Sequence, residues 1–232
     1  MKKKLLVILL IITTIIMFNT FVMANNVQER QNEIKHLKAK IKKVKDVKRK
    51  VKILKRLGIL YHREAALGNE EAVAKAIDYL KEAKMLSNSP AIRAWYGSAL
   101  TLKGRYAFAF GKLYYSKKGI GILDEVINEA PKNIEARLVR GINSLYLPDF
   151  IFRRLDLAKE DLQYVINLAN NNLQLVTKEE LATAHLNLGK YYQKRNKQQL
   201  AINEWKRVIA LGINQTQVKR AKEYIVEIKT TN

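Results

Sequence analysis

LATAHLNLGKYY (residues 181–192), followed by QQLAINEWKRVI (residues 198–209), decides the fold. In the first segment Leu188 and Gly189 stand side by side within a small-residue and apolar pattern of helical spacing. In the second, Ala201 and Trp205 lie one helical turn apart. A glycine inside a helix costs about 1 kcal/mol against alanine. It is tolerated where the missing side chain lets a neighbouring helix approach closely. The two segments are therefore expected to nest as a helix–turn–helix pair.

Weaker copies precede this pair. Leu57-Gly58, Ala99 and Gly141 each fall mid-helix in a similar pattern, and with Gly189 they are separated by 41, 42 and 48 residues. Each is followed by a second segment with small or apolar residues a turn apart: Ala76, Leu80 and Ala83, then Leu123 and Val126, then Ala158, Leu162 and Val165. The organisation resembles the tetratricopeptide-repeat superfamily, whose standard unit spans roughly 34 residues. The resemblance is best over 181–213, fair over 52–90 and poorest over 91–170. There Arg137 and Arg140 occupy places that the family fills with bulky apolar side chains. A generic array of helical hairpins is the alternative.

The resemblance implies an all-α fold: an α-solenoid of about four helix–turn–helix pairs with a C-terminal capping helix. It also implies protein or peptide binding rather than chemistry, in a groove formed by the first helix of each pair. Carried onto this chain, that groove would present Lys55, Arg93, Tyr96, Lys190 and Gln193.

Punctuation supports the division into helices. Ser89-Pro90 reads as a cap followed by proline at the first helical position. Asn133 caps the helix after Pro131, and Thr177 with Glu180 fits a capping box. Gly68-Asn69 and Gly104 are expected to break helices, and Leu211-Gly212 to end one. Thr216 to Lys229 reads as a final helix, with Val218, Ala221, Ile225 and Ile228 on one side.

The N-terminus addresses the compartment. Three lysines at positions 2–4 precede twenty uncharged residues, and Val22 and Ala24 are spaced as a cleavage site ahead of Asn25. Residues 1–24 read as a bacterial-type secretory signal, or as an uncleaved anchor over residues 5–23. No cysteine follows, which excludes a lipid-modified cysteine, and a chain without cysteine has neither disulfide nor thiol chemistry. The expectation is an exported protein, periplasmic or extracellular.

Residues 25–50 open the mature chain with a basic amphipathic helix, and residues 51–232 form the repeat domain. Twelve lysines or arginines lie between Lys35 and Arg56, opposed by Asp46 alone. Ile34, Leu37, Ile41, Val44, Val47, Val51 and Leu54 form an apolar stripe at helical spacing. The favoured reading packs that stripe on the first repeat; the other leaves Lys38, Lys42, Lys43, Lys45 and Arg49 to adhere to anionic lipid or wall polymer. Nucleic acid is disfavoured, since no aromatic interrupts the helix to stack bases. Two heptads are too few to specify a coiled-coil dimer.

The chain offers no constellation for catalysis. His36, His62 and His185 are far apart in sequence, and no metal-ligand spacing, nucleophile elbow or phosphate loop occurs. Gly119 and Gly121 are expected to open a helix or allow close packing. Asp124-Glu125 and Glu160-Asp161 are expected on solvated faces. No cofactor is implied and no enzymatic activity is expected.

Two aromatic inserts remain, Arg105 to Tyr115 and Leu147 to Arg154. The favoured reading tucks their rings into the array as local core. The alternative is a binding rim that includes Arg105, Phe150, Phe152, Arg153 and Arg154, residue types enriched at hot spots. The formal charge of +22, or +19 without residues 1–24, favours an acidic partner segment.

Overall fold

A computed structural model describes residues 27–230, and among these every regular element is a helix. The elements are α1 (27–41), α2 (Val47–Ala66), α3 (Glu71–Leu86), α4 (Pro90–Tyr106), α5 (Ala109–Glu129), α6 (Ile134–Tyr146), the four-residue α7 (Asp149–Phe152), α8 (Leu155–Asn171), a short 3-10 turn (Leu173–Leu175), α9 (Lys178–Lys194), α10 (Gln198–Leu211) and α11 (Gln215–Thr230). The signal, its cleavage site at Ala24 and Asn25, and the alternative anchor lie outside the described residues. No helix among the described residues is long and apolar enough to cross a membrane.

Local chemistry fixes the helix ends. The Asp46 carboxylate accepts from the Arg49 amide at 2.8 Å, and Asn133 accepts from Ala136 at 2.9 Å. Ser89 caps α4 with Pro90 at its first position. Thr177 and Glu180 form the reciprocal capping box that their spacing announces. Gly212, at φ 62°, takes the left-handed conformation that ends α10.

Helices pack in adjacent pairs: α2 with α3, α4 with α5, α6 with α8, and α9 with α10, closed by α11. Close approach defines each crossing. A side-chain carbon added at Gly58 would meet Leu80, one at Gly141 would meet Asp161, and one at Gly189 would strike the Trp205 ring. In the second pair the close approach is at Gly97 and Gly119 rather than Ala99, which is buried instead against the α2–α3 cluster. Gly104 does not break α4; it lies inside the helix against Ser116. Gly119 does not open α5, which begins ten residues earlier.

The first helices also form a series of their own. α2 lies beside α4, α4 beside α6, α6 beside α9, and α9 beside α11. They run in the same direction, because side chains pair at matched heights: Trp95 with Glu135 and Thr101 with Asn143, then Thr183 with Gln217. All turns within pairs therefore lie at one edge, the turn edge, and all connections between pairs at the other.

Three expectations change here. The basic amphipathic helix is two helices, since residues 42–46 break it and Asp46 starts α2 anew. The break folds α1 back so that Ile34 is buried with Ile53, Leu57 and Leu60, while Leu37, Ile41 and Val44 pack on the same cluster. That burial consumes the α1 part of the stripe and leaves no coiled-coil seam. Second, the aromatic inserts are tucked in only in part: Tyr106 packs on the α2–α3 cluster and Tyr115 and Phe152 are half-buried, but the foremost rings project. α4 and α5 are joined by a tight turn, with Phe108 92% and Phe110 94% exposed, and Phe150 on α7 is 86% exposed.

Third, Asp161 is fully buried rather than solvated. Arg140 donates to it twice, at 2.7 and 2.8 Å, and Arg137 once at 2.8 Å. Asp124 is half-buried and accepts two hydrogen bonds from Arg154, at 2.9 and 2.6 Å. An ion network thus ties α5, α6 and α8 together inside the array.

Candidate functional site

The face shared by α2, α4, α6, α9 and α11 carries three rows of side chains that reach from helix to helix. In the first, Lys55 of α2 meets Glu135 of α6 at 2.5 Å, and the Trp95 indole of α4 donates to the same carboxylate at 2.7 Å. Side chains on α2 and α6 thus touch across the intervening α4, which requires the face to be concave there.

The second row lies two turns on. The His62 ring nitrogen is 3.0 Å from the Ser98 hydroxyl, and the Asn143 amide donates to Ser98 at 3.3 Å and to Thr101. Burial pushes the His62 imidazole down to about 4, against the Ser98 hydrogen bond and helped by nearby Arg63, so the ring is neutral at neutral pH. Trp95 meets the His62 ring edge-on at 5.3 Å between centroids. The Asn143 carbonyl oxygen is buried and has no hydrogen-bond partner.

The third row joins α6, α9 and α11. The Lys190 ammonium sits 4.1 Å from the Tyr224 ring centroid and 6.0 Å from that of Tyr146. Burial raises both phenols above the ordinary tyrosine range, partly offset by neighbouring Arg220. Yet Tyr146 remains more than half exposed, so its ring is wet but surrounded by protein, as a concave wall requires. Arg63 is exposed on the same side, with its pKa lowered first by burial and then by Arg56. Glu179, in the first turn of α9, is near enough to attract both arginines. Arg63, Lys190 and Arg220 form no ion pair with a described residue.

The groove residues carried over by resemblance divide on this geometry. Lys55 and Lys190 lie on the concave face, although Lys55 is paired with Glu135. Gln193 is half-buried near the end of α9. Arg93 turns instead toward α5, where Glu129 and Glu125 hold it and raise its pKa. Tyr96 packs against the α2–α3 cluster, with Lys84 over its ring at 5.4 Å.

Of the rim residues, Arg154 is committed to Asp124 and Ser144 within the fold. Arg105 is exposed and donates to the Ala66 carbonyl at 3.3 Å. Phe152 is half-buried, while Arg153, in the left-handed conformation at φ 51°, is exposed beside Phe150. Lys38, Lys42, Lys43, Lys45 and Arg49 are exposed and form no ion pair with a described residue.

His62, Trp95, Ser98, Asn143, Tyr146 and Tyr224 were missed by the sequence reading. The available signal was their matched height on successive first helices, legible only once α4 and α6 are in register. His36 is exposed, and His185 is buried 2.6 Å from Glu204. No cluster of His, Cys, Asp or Glu among the described residues is placed to hold a metal ion. No family model, curated protein or solved structure matches the chain.

Proposed function

We propose that this chain is an exported, membrane-proximal, non-catalytic adaptor. Its helical pairs form a tetratricopeptide-like α-solenoid, closed by α11, whose concave face holds an acidic protein or peptide segment. The observation that carries this reading is the lateral alignment of α2, α4, α6, α9 and α11 with polar side chains aimed across one face. An extended segment laid across these helices would meet aromatic walls at Trp95, Tyr146 and Tyr224, and cations without a carboxylate partner among the described residues at Arg63, Lys190 and Arg220. Opposite charge speeds encounter and restricts partner choice.

The test is retention of acidic, neutral and basic peptide pools by the full chain at low and moderate salt. Acidic peptides are expected to be retained, with retention falling as salt rises. The double change Arg63→Glu and Lys190→Glu should weaken retention by about tenfold. Salt-insensitive binding, or equal retention of neutral peptides, overturns the electrostatic reading.

A second reading, a site for a non-protein anion such as wall polymer, rests on the exposed, unpaired cations Lys38, Lys42, Lys43, Lys45 and Arg49. It is favoured if reversing those charges, rather than Arg63 and Lys190, abolishes anion capture.

A further inference from the structure

From Ala83 to Leu123 the chain contains seven bases and no acidic residue. The most exposed rings of this stretch are Phe108 in the α4–α5 turn and Phe110 in the first turn of α5. Leu113 and Tyr114 follow Phe110 at i+3 and i+4, so one outward face of α5 continues the apolar surface. Lysines frame it: the Lys118 ammonium is 3.5 Å from the Tyr114 hydroxyl, and that of Lys103 is 4.3 Å from the Tyr115 ring centroid. Phe150 and Ile151 on α7 are exposed at the same edge, beside exposed Arg153. Isolated surface hydrophobics are ordinary, but a clustered set with a cationic frame marks a contact surface.

The course of the chain adds an independent observation. The Tyr106 hydroxyl donates to the Ala65 carbonyl at 2.5 Å, so the ends of α2 and α4 coincide at the turn edge. Arg30 of α1 pairs with Glu64 near the end of α2, whereas Glu33 pairs with Arg56, about two turns earlier. α1 therefore runs back along α2, and residue 27 lies at the turn edge. The twenty uncharged residues 5–24 join the described chain on the side where the phenylalanines project.

The geometry points to the turn edge as a bilayer-docking surface: Phe108, Phe110 and the Phe150–Ile151 turn seat in the interface of an anionic membrane, with the flanking lysines at lipid phosphates. A lipid surface fits better than a protein partner, because the rings protrude at the turn edge and residues 83–123 contain no acid to repel phosphates. Of the carboxylates at this edge, Glu70 and Glu71 lie aside at the α2–α3 turn, Asp149 accepts from the Leu155 amide at 3.1 Å, Asp156 is paired with Arg195 at 2.8 Å, and Glu29 is exposed at the start of α1. The inference does not depend on what the concave face binds.

The native Trp205 is fully buried and Trp95 is packed on the concave face, so an added edge tryptophan is readable. Full-length chains carrying Phe110→Trp, Phe150→Trp or, at the opposite edge, Met85→Trp are mixed with phosphatidylcholine vesicles with and without phosphatidylglycerol, each containing brominated lipid. Quenching above wild type is expected for Phe110→Trp and Phe150→Trp, more strongly with phosphatidylglycerol, and not for Met85→Trp. Adding Phe108→Ser and Phe110→Ser should reduce quenching at Phe150→Trp several-fold while leaving the helical circular dichroism intact. The inference is overturned if the chain does not associate with these vesicles, if associated Phe110→Trp shows no added quenching, or if Met85→Trp is quenched equally. Peptide retention is read separately, so loss of either result leaves the other standing.

Discussion

Asp161 and His62 show two ways of keeping a polar group inside a helical array. Asp161 is satisfied by hydrogen bonds from Arg140 and Arg137: burial would lower Arg140, but hydrogen bonds and charge from Asp161 raise it overall, so the guanidinium stays charged. His62 is kept neutral, because its surroundings offer Ser98 and no carboxylate. Its folded pKa, about 4, lies below the unfolded value of 6.5. The unfolded chain therefore takes up the proton first as pH falls, and stability drops between those two values. The loss should be on the order of 2–3 kcal/mol. Urea unfolding at pH 7 and near pH 4 should show this extra loss in the wild type and its absence in His62→Gln; equal losses in both would rule it out. None of this was legible residue by residue. Arg137 and Arg140 looked like departures from an apolar pattern, and their partner Asp161 is identified only by the pairing of α6 with α8.

Among the elements, α5 contains a matched pair of glycines with opposite consequences. At Gly119 an added carbon would meet the Gly97 carbonyl and the Thr101 backbone, and neither can move without separating α4 from α5. Gly119→Ala should therefore destabilise the fold by about 1–3 kcal/mol. At Gly121, two residues on, an added carbon meets nothing within 4 Å. Gly121→Ala should stabilise by about 0.5–1 kcal/mol. Denaturant midpoints of the two variants check both signs, and a stable Gly119→Ala protein would contradict the close approach. Element ends were the most legible feature, because capping at Ser89, Asn133 and Thr177 depends on neighbours three residues away. The break at residues 42–46 was not: the apolar stripe runs through it at helical spacing, and the turn is favoured only by long-range contacts, the packing of Ile34 and its neighbours on the α2–α3 cluster and the ion pairs of Arg30 and Glu33 with α2. Phe108 and Phe110 defied expectation for the converse reason, since a two-residue turn leaves no neighbouring surface for their rings to reach.

Across the whole molecule, 43 basic residues face 21 acidic ones. Self-repulsion at this imbalance opposes compaction. The innermost ion pairs, those of Arg140 and Asp161, are shielded from solvent and weakly screened. Raising sodium chloride from about 0.02 M to about 0.3 M should therefore raise the thermal midpoint; a fall would mean that exposed ion pairs outweigh the repulsion. The orientation of the helices also sets a ruler. α2 is 20 residues long, about 30 Å at 1.5 Å per residue. It separates the edge where the chain enters, beside Arg30 and Glu64, from the lysine-rich bend at 42–49. α11 runs parallel to α9, so residue 230 also ends at the entry edge. Tethered by either end, the protein would hold its densest lysine cluster at a standoff of more than three screening lengths of about 8 Å from the attachment plane. At that distance the cluster hardly feels the surface behind it and is left to survey what approaches from the far side.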